Sequence, residues 1–232
     1  MLIIGHRGAA GLAPENTLEA LQKGYDVGAD MLEFDVQLTR DGVPVVIHDS
    51  TLLRTHGSRT FVRYSTHDSL REATAKGHSI ATLEEVLDTF YGKVLLNLEI
   101  KSRGAASVVA DMIKKRYIKK PSDWHNILFA SFKVRELAKI RKVSKHAQLS
   151  LLHERNPFAF IAYHRSLHFT AVGFHRLYTN TLACEIAKQL GIFMYAYTVN
   201  RPRAAQLLLE RGIEGIVTDN PERMRSAILE KE

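Results

Sequence analysis

The chain reads as an α/β protein, a closed (β/α)8 barrel of the TIM type, on three observations. Short apolar strands alternate strictly with helical stretches, and the pairs number eight along 232 residues. Histidines and charged residues collect where those strands end. No linker, low-complexity run or further repeat divides the chain, so residues 1–232 are expected to form one domain. The competing architecture is an open doubly wound sheet. Gly5, Gly8 and Gly11 stand three apart and lack the spacing of a dinucleotide fingerprint, which counts against it.

Leu2-Ile3-Ile4 opens the chain as a buried strand and breaks off in Gly5-His6-Arg7-Gly8. The glycines permit a tight turn, and an imidazole beside a guanidinium suits an anionic ligand. Residues 14–28 read as a helix, opened by Pro14 and by the capping-box spacing of Asn16 and Glu19, and stopped by Gly28. Residues 31–38 alternate apolar and polar as a strand does. Asp41-Gly42 turns the chain, and 43–47 returns as a hairpin arm ending in His48-Asp49. Residues 50–80 are polar and aperiodic. They are expected to be a short insertion after the second barrel strand and its hairpin arm, running over one end of the barrel as a candidate lid.

Thr82 and Glu85 then make a capping box for a helix over 83–90. Strands follow at 93–100, 127–132, 148–152, 171–174, 193–199 and 215–218. Helices alternate with them at 105–117, 134–143, 158–167, 181–190, 202–211 and 221–229. Pro202 in the first turn and Gly212 past the end bound one of these helices.

With 45% hydrophobic and 25% charged residues, the composition is that of an ordinary soluble protein. A net charge of +7 favours anionic partners, or is simply a solvated basic surface. Lys114, Lys115, Arg116, Lys119 and Lys120 form one basic cluster and residues 133–145 carry another. Neither has aromatics interleaved for base stacking, so no nucleic-acid partner is expected. No run is long enough to span a bilayer, and the N-terminus lacks a signal peptide's pattern. A cytoplasmic location is therefore expected, with peripheral membrane contact left open. Cys184 is the one cysteine, which excludes an intrachain disulfide; its apolar helical setting makes it a core thiol.

Glu33 and Asp35 are two apart on a strand and share a face, while Leu32, Phe34 and Val36 take the other. Two carboxylates on one buried face repel each other and lose solvation. Glu99 adds a third near the end of the 93–100 strand. An all-oxygen set of this kind suits one divalent cation, Mg²⁺ or Ca²⁺. The alternative is that these acids form structural ion pairs with Arg7 or Lys101. Their place at barrel strand ends favours metal, because catalytic groups gather there. His6 and His48 both end strands and suit acid–base work near neutral pH, or are ordinary satisfied histidines. Arg7 and Lys101 would hold phosphate oxygens.

Read together, His6-Arg7-Gly8, Pro14-Glu15-Asn16-Thr17, Gly28-Ala29-Asp30, Glu33-Phe34-Asp35-Val36, Asp41-Gly42, His48-Asp49, Glu99-Ile100-Lys101 and Thr218-Asp219-Asn220-Pro221 stand in an order that resembles the glycerophosphodiester phosphodiesterases. The resemblance runs from residue 3 to about 224. It implies a TIM barrel that hydrolyses glycerophosphodiesters to glycerol 3-phosphate and an alcohol with a divalent metal. Carried over by position, it implies Glu33, Asp35 and Glu99 as metal ligands, His6 and His48 as the acid–base pair, Arg7 and Lys101 as phosphate contacts, and Glu15 as an active-site glutamate. The attacking group is either water or the substrate's own 2-hydroxyl. Tyr197 stands where the family usually has Trp, Ala81 replaces a usual Pro, and Arg54-Thr55-His56 replaces Arg-Thr-Thr. These departures, with a short 50–80 stretch, fall at the substrate rim and leave alcohol specificity open. Two rival functions remain. One is a lysophospholipase D or sphingomyelinase D-like activity, which calls for an apolar rim; Phe158, Phe160, Ile161 and Tyr163 are candidates for it, though their pattern better fits the inner face of a barrel helix. The other is a catalytically silent barrel that binds phosphate or anionic membrane.

Overall fold

The structure, a computed structural model, describes residues 1–74 and 77–229. β1 (Leu2–Gly5), α1 (Leu18–Asp26), β2 (Met31–Leu38) and the short β3 (Pro44–Val46) open the chain. The insertion carries α2 (Leu53–His56), a 3-10 turn at Val62–Tyr64 and α3 (His67–Ala73). α4 (Leu83–Phe90) leads back to the barrel. Then come β4 (Leu95–Ile100), α5 (Ala105–Arg116), β5 (Ile127–Ser131), α6 (Val134–Val143), β6 (Gln148–His153), α7 (Ala159–Leu167) and β7 (Ala171–His175). α8 (Thr181–Gln189), β8 (Phe193–Tyr197), α9 (Pro202–Glu210), β9 (Gly215–Thr218) and α10 (Pro221–Leu229) complete the described chain.

β1 pairs in parallel with β9 on one side and β2 on the other, so the sheet closes into the expected barrel. β1 meets only Met31 and Leu32 of β2; farther along, β3 pairs antiparallel with Val36, Gln37 and Leu38. Both Met31 and Val36 also pair with β4, so β1 and β3 share the other edge of β2. The hairpin arm thus continues the barrel wall where β1 has already turned away into its loop.

Strand alternation sorts the core into two layers. Leu32, Phe34, Val36, Leu96, Leu98 and Ile100 face outward and pack with helix residues such as Leu21, Leu83, Val109 and Ile113. Burying each such side chain contributes roughly 1.5–3 kcal/mol. Inside the barrel, Ile4, Met31, Leu128, Ala130, Leu152, Ala171, Tyr195 and Val217 form a separate apolar plug. On β2 the inward series runs on from Met31 to Glu33 and Asp35, both buried. On β4 it holds Asn97 and Glu99. The interior therefore changes from apolar to acidic toward the C-terminal strand ends, the face where barrels place their chemistry.

Three sequence expectations need adjustment. Asn16 does not cap α1: Thr17 does, with its Oγ1 accepting from Ala20 N at 3.1 Å, and the helix begins at Leu18. Asn16 is drawn into the barrel mouth instead. Strand 193–199 ends at Tyr197, so Thr198 and Val199 belong to the loop. The 50–80 stretch is more than a polar excursion. Leu52, Val62, Leu70 and Ile80 pack with Val45 and Ile47 in a small core of their own. Those anchors stand at irregular intervals and carry no period, which is why sequence pattern does not reveal them. The Thr82–Glu85 capping box is present, and Cys184 is buried as expected. The basic end of α5 lies away from the site, because helices run antiparallel to the strands they follow. Among the described residues no helix is long and apolar enough to cross a membrane.

Candidate active site

The mouth is organised by the turn after β1. Arg7 and Gly8 both have positive φ, 48° and 87°. A Cβ on Gly5 would sit 2.0 Å from the Gly8 carbonyl oxygen, so only glycine fits there. This turn aims the Arg7 N–H at Glu33, donating to Oε2 at 2.8 Å, and brings Gly8 N to the Glu33 carbonyl at 2.9 Å. The loop is thereby pinned to β2 before any side chain of the loop acts.

Glu33, Asp35 and Glu99 each present an oxygen within 4.8 Å of the others. Burial first, and then the Asp35 charge, push the Glu33 carboxyl up to about 8 and Glu99 to about 7. Full ionisation of the cluster is therefore disfavoured, and its neighbouring cations only partly offset that. The expected ion pairs do form, but only in part. Lys101 Nζ lies 2.8 Å from Glu99 Oε1 and 3.5 Å from Asp35 Oδ1. Arg7 Nε lies 3.4 Å from Asp35 Oδ2 and, though buried, makes no hydrogen bond. Glu33 receives a backbone N–H, and no Lys or Arg among the described residues forms an ion pair with it. Three close, under-neutralised carboxylates without sulfur or nitrogen ligands are a donor set that fits a hard divalent cation.

His6 lies against this cluster, and His48 follows Ile47, whose N–H donates to the Asp35 carbonyl at 2.9 Å; the two rings are held in the same way. His6 Nδ1 lies 2.5 Å from Asp219 Oδ1, and His48 Nδ1 lies 2.6 Å from Asp49 Oδ1. A carboxylate on Nδ1 fixes the ring and leaves Nε2 for proton exchange. Burial alone would lower the His6 pKa, but the bond to Asp219 and the nearby Glu33 charge raise it. The Asp219 carboxyl is correspondingly held below its ordinary value, first by the hydrogen bond from His6. Asn200 Nδ2 donates to Asp219 Oδ2, and Asn200 Oδ1 accepts from Asp219 N at 2.9 Å. His6 lines a central cavity with Glu33, Asn97, Glu99, Tyr195 and Tyr197.

The remaining sequence candidates also reach the mouth. Arg7 Nη1 donates to Glu15 Oε1 at 2.6 Å. Burial disfavours the Glu15 charge, yet Arg54 and Arg7 together hold its pKa below normal. Lys101 remains protonated because Asp35 and Glu99 outweigh its burial. Phe132 lies over Lys101, 6.0 Å from ring centre to Nζ, and meets Tyr197 edge-on. Of the residues proposed above for an apolar rim, Phe160 is core, whereas Ile161 and Tyr163 are exposed on α7.

Sequence alone assigns Asp49, Arg54, Asn200 and Asp219 no individual role in the site, and Asn16 only the capping role corrected above. Asn16 has φ 58°, donates Nδ2 to Asp35 Oδ2 at 2.9 Å and accepts from Asp35 N at 3.1 Å. An asparagine ahead of a capping threonine was the available signal, since Asn tolerates this backbone region. Asp219 stands in Thr218-Asp219-Asn220-Pro221, one of the stretches that carry the resemblance, and nothing else in the sequence pairs it with His6.

Comparison with known proteins gives the same direction. The model of the glycerophosphoryl diester phosphodiesterase family matches residues 6–223. The chain belongs to that family. Membership makes it an enzyme, a phosphoric diester hydrolase. It is 32% identical to a glycerophosphodiester phosphodiesterase of Caldanaerobacter subterraneus subsp. tengcongensis, over 95% of each chain. Among solved structures, the Thermotoga maritima glycerophosphodiester phosphodiesterase matches with a TM-score of 0.84, 29% identity and 97% of each chain covered. A phosphodiesterase from Oleispira antarctica, solved with its product sn-glycerol-3-phosphate, matches with a TM-score of 0.86 at 25% identity, over 98% of this chain and 96% of that one.

Proposed function

We propose that this protein hydrolyses glycerophosphodiesters to glycerol 3-phosphate and an alcohol, using one divalent cation, Mg²⁺ or Ca²⁺. The observation that carries the reading is the Glu33–Asp35–Glu99 cluster, with His6 in the same cavity and His48 beside Glu15 and Asn16 in the next, each histidine backed by an aspartate. The product bound to the Oleispira relative supports the substrate class.

Glu33, Asp35 and Glu99 would hold the cation. When bound, it supplies positive charge beside the phosphate and helps acidify the attacking hydroxyl. Arg7 and Lys101 engage phosphate oxygens, Arg7 with its planar fork. Glu15 keeps the Arg7 guanidinium in place. One imidazole accepts the proton of the attacking hydroxyl at Nε2, and the other donates from Nε2 to the departing alkoxide. Asp219 and Asp49 fix the orientation of the two rings. Beneath the site, Leu152, Tyr195 and Val217 close the barrel floor to water.

The test is release of glycerol 3-phosphate from glycerophosphocholine, glycerophosphoethanolamine and glycerophosphoglycerol, beside release of the headgroup alcohol from a lysophospholipid, whose phosphate product keeps its acyl chain. Turnover of the water-soluble diesters, abolished in Glu33→Ala, is expected. Exclusive turnover of the lysophospholipid would replace this reading with the lipid one, and none at all from folded protein would leave a silent binder.

A further inference from the structure

The insertion contributes one side chain that joins both halves of the mouth. Arg54, on the single-turn helix α2, donates Nη1 to Glu15 Oε2 at 2.7 Å and Nη2 to Glu15 Oε1 at 2.6 Å. Its Nε donates to Asp49 Oδ2 at 2.6 Å. The far oxygen of Asp49 holds His48 Nδ1, and Glu15 Oε1 also accepts from Arg7. One continuous chain of charged contacts therefore runs Arg7–Glu15–Arg54–Asp49–His48.

We propose that Arg54 is a positioning residue that sets His48 against the phosphate-binding Arg7, so that the insertion completes the active site. This rests on the reading that His48 transfers a proton. The His48 backbone is already fixed from β2: Gln37 Nε2 donates to the carbonyls of Ile47, His48 and Asp49 at 3.2, 2.9 and 2.7 Å. Gln37 touches only carbonyls there, so it leaves the ring's rotation about its side-chain bonds free. The ring takes its orientation from Asp49, and Arg54 in turn orients Asp49. A planar guanidinium that meets one carboxylate with two nitrogens and a second with the third defines the angle between them; a lysine ammonium does not. The Arg54 side chain is 50% exposed. Exposed ion pairs contribute little to global stability, so the clasp's consequence is orientation rather than folding. Its footing is firm nonetheless. Leu52, just ahead of Arg54, is fully buried in the insertion's core, and Leu52 N donates to Thr60 O at 3.0 Å.

The experiment is steady-state kinetics on whichever glycerophosphodiester of the panel above turns over fastest, with metal saturating. Four variants are compared with the wild type: Arg54→Gln, Arg54→Lys, His48→Ala and the Arg54→Gln/His48→Ala double. Arg54→Gln is expected to lower kcat about 10- to 100-fold, the range for residues that orient a working group. KM stays near wild type, and the thermal midpoint is kept. Arg54→Lys stays close to Arg54→Gln, because charge without the fork cannot serve both carboxylates. The double variant is no slower than His48→Ala alone, since the two act as a unit. Additive losses, a loss carried wholly by KM, or full recovery in Arg54→Lys would overturn the proposal. Wild-type turnover in His48→Ala would instead remove the underlying reading of His48, and that shows in a variant where Arg54 is untouched.

Discussion

The two histidine–aspartate pairs do the same thing in different ways. His6 and Asp219 lie 213 residues apart and meet because β1 and β9 are neighbours where the barrel closes. Asn200, from the loop after β8, completes that group. His48 and Asp49 are adjacent in the chain, so their contact is local; their support, Arg54, comes from an insertion outside the barrel. The first pair is built into the cooperative fold. The second is clasped onto it from outside, with the His48 side chain 32% exposed against 19% for His6. A closed barrel therefore offers two ways of orienting an imidazole, one through closure and one through a local motif held by an accessory segment.

That contrast can be broken at the rings themselves. His6→Ala and His48→Ala should each lower kcat by ~10²–10⁴-fold with metal binding retained, as loss of a general acid or base does. Equal calorimetric metal affinity in wild type and variants is the control. The supporting acids come next. Asp219→Asn is expected near 100-fold and Asp49→Asn near tenfold, the two ends of the usual range for orienting partners. The larger effect falls on the pair whose carboxylate is also bonded to Asn200. An Asp49→Asn loss larger than that of Asp219→Asn would reverse the ranking of the two devices.

Stability sharpens the same comparison. Asp219→Ala strands polar partners in a half-buried setting and should cost about 1–3 kcal/mol in denaturant unfolding. Arg54→Ala should cost less than about 1 kcal/mol.

A third histidine shows what burial does without a carboxylate. His153 is buried between Phe160 and Phe174, and its Nε2 has no partner. Desolvation alone pushes its pKa down to about 4. The unfolded chain then takes up the proton first as pH falls. Stability from this group is thus fully present above about pH 6.5, and it drains away between there and pH 4, by up to about 3 kcal/mol. His153→Phe should flatten that part of the stability–pH curve; an unchanged slope would point to other groups.

Much of this was legible in the sequence, for identifiable reasons. Glu33 and Asp35 share a face because strand geometry has period two, and Met31, two residues before, marks that face as interior. His6, His48 and Glu99 were found because they end strands. What escaped depends on distance or on tertiary override. Asp219 reaches His6 only through barrel closure. Asn16 has a capping residue's spacing but spends its side chain on Asp35, leaving Thr17 to cap. Arg54 stands in a stretch whose four apolar anchors follow no period; Arg54-Thr55-His56 points to the substrate rim only through the family resemblance, and nothing local shows that Arg54 joins Glu15 to Asp49.

The most direct test of the account is to strip the protein with EDTA and follow glycerol 3-phosphate release as Mg²⁺, Ca²⁺ or Mn²⁺ is returned. No turnover after stripping, saturable recovery with at least one of these ions, and no recovery in Glu33→Ala are expected. Full turnover in EDTA by protein shown to be metal-free would contradict it, and would leave the three carboxylates as a structural cluster paired with Arg7 and Lys101.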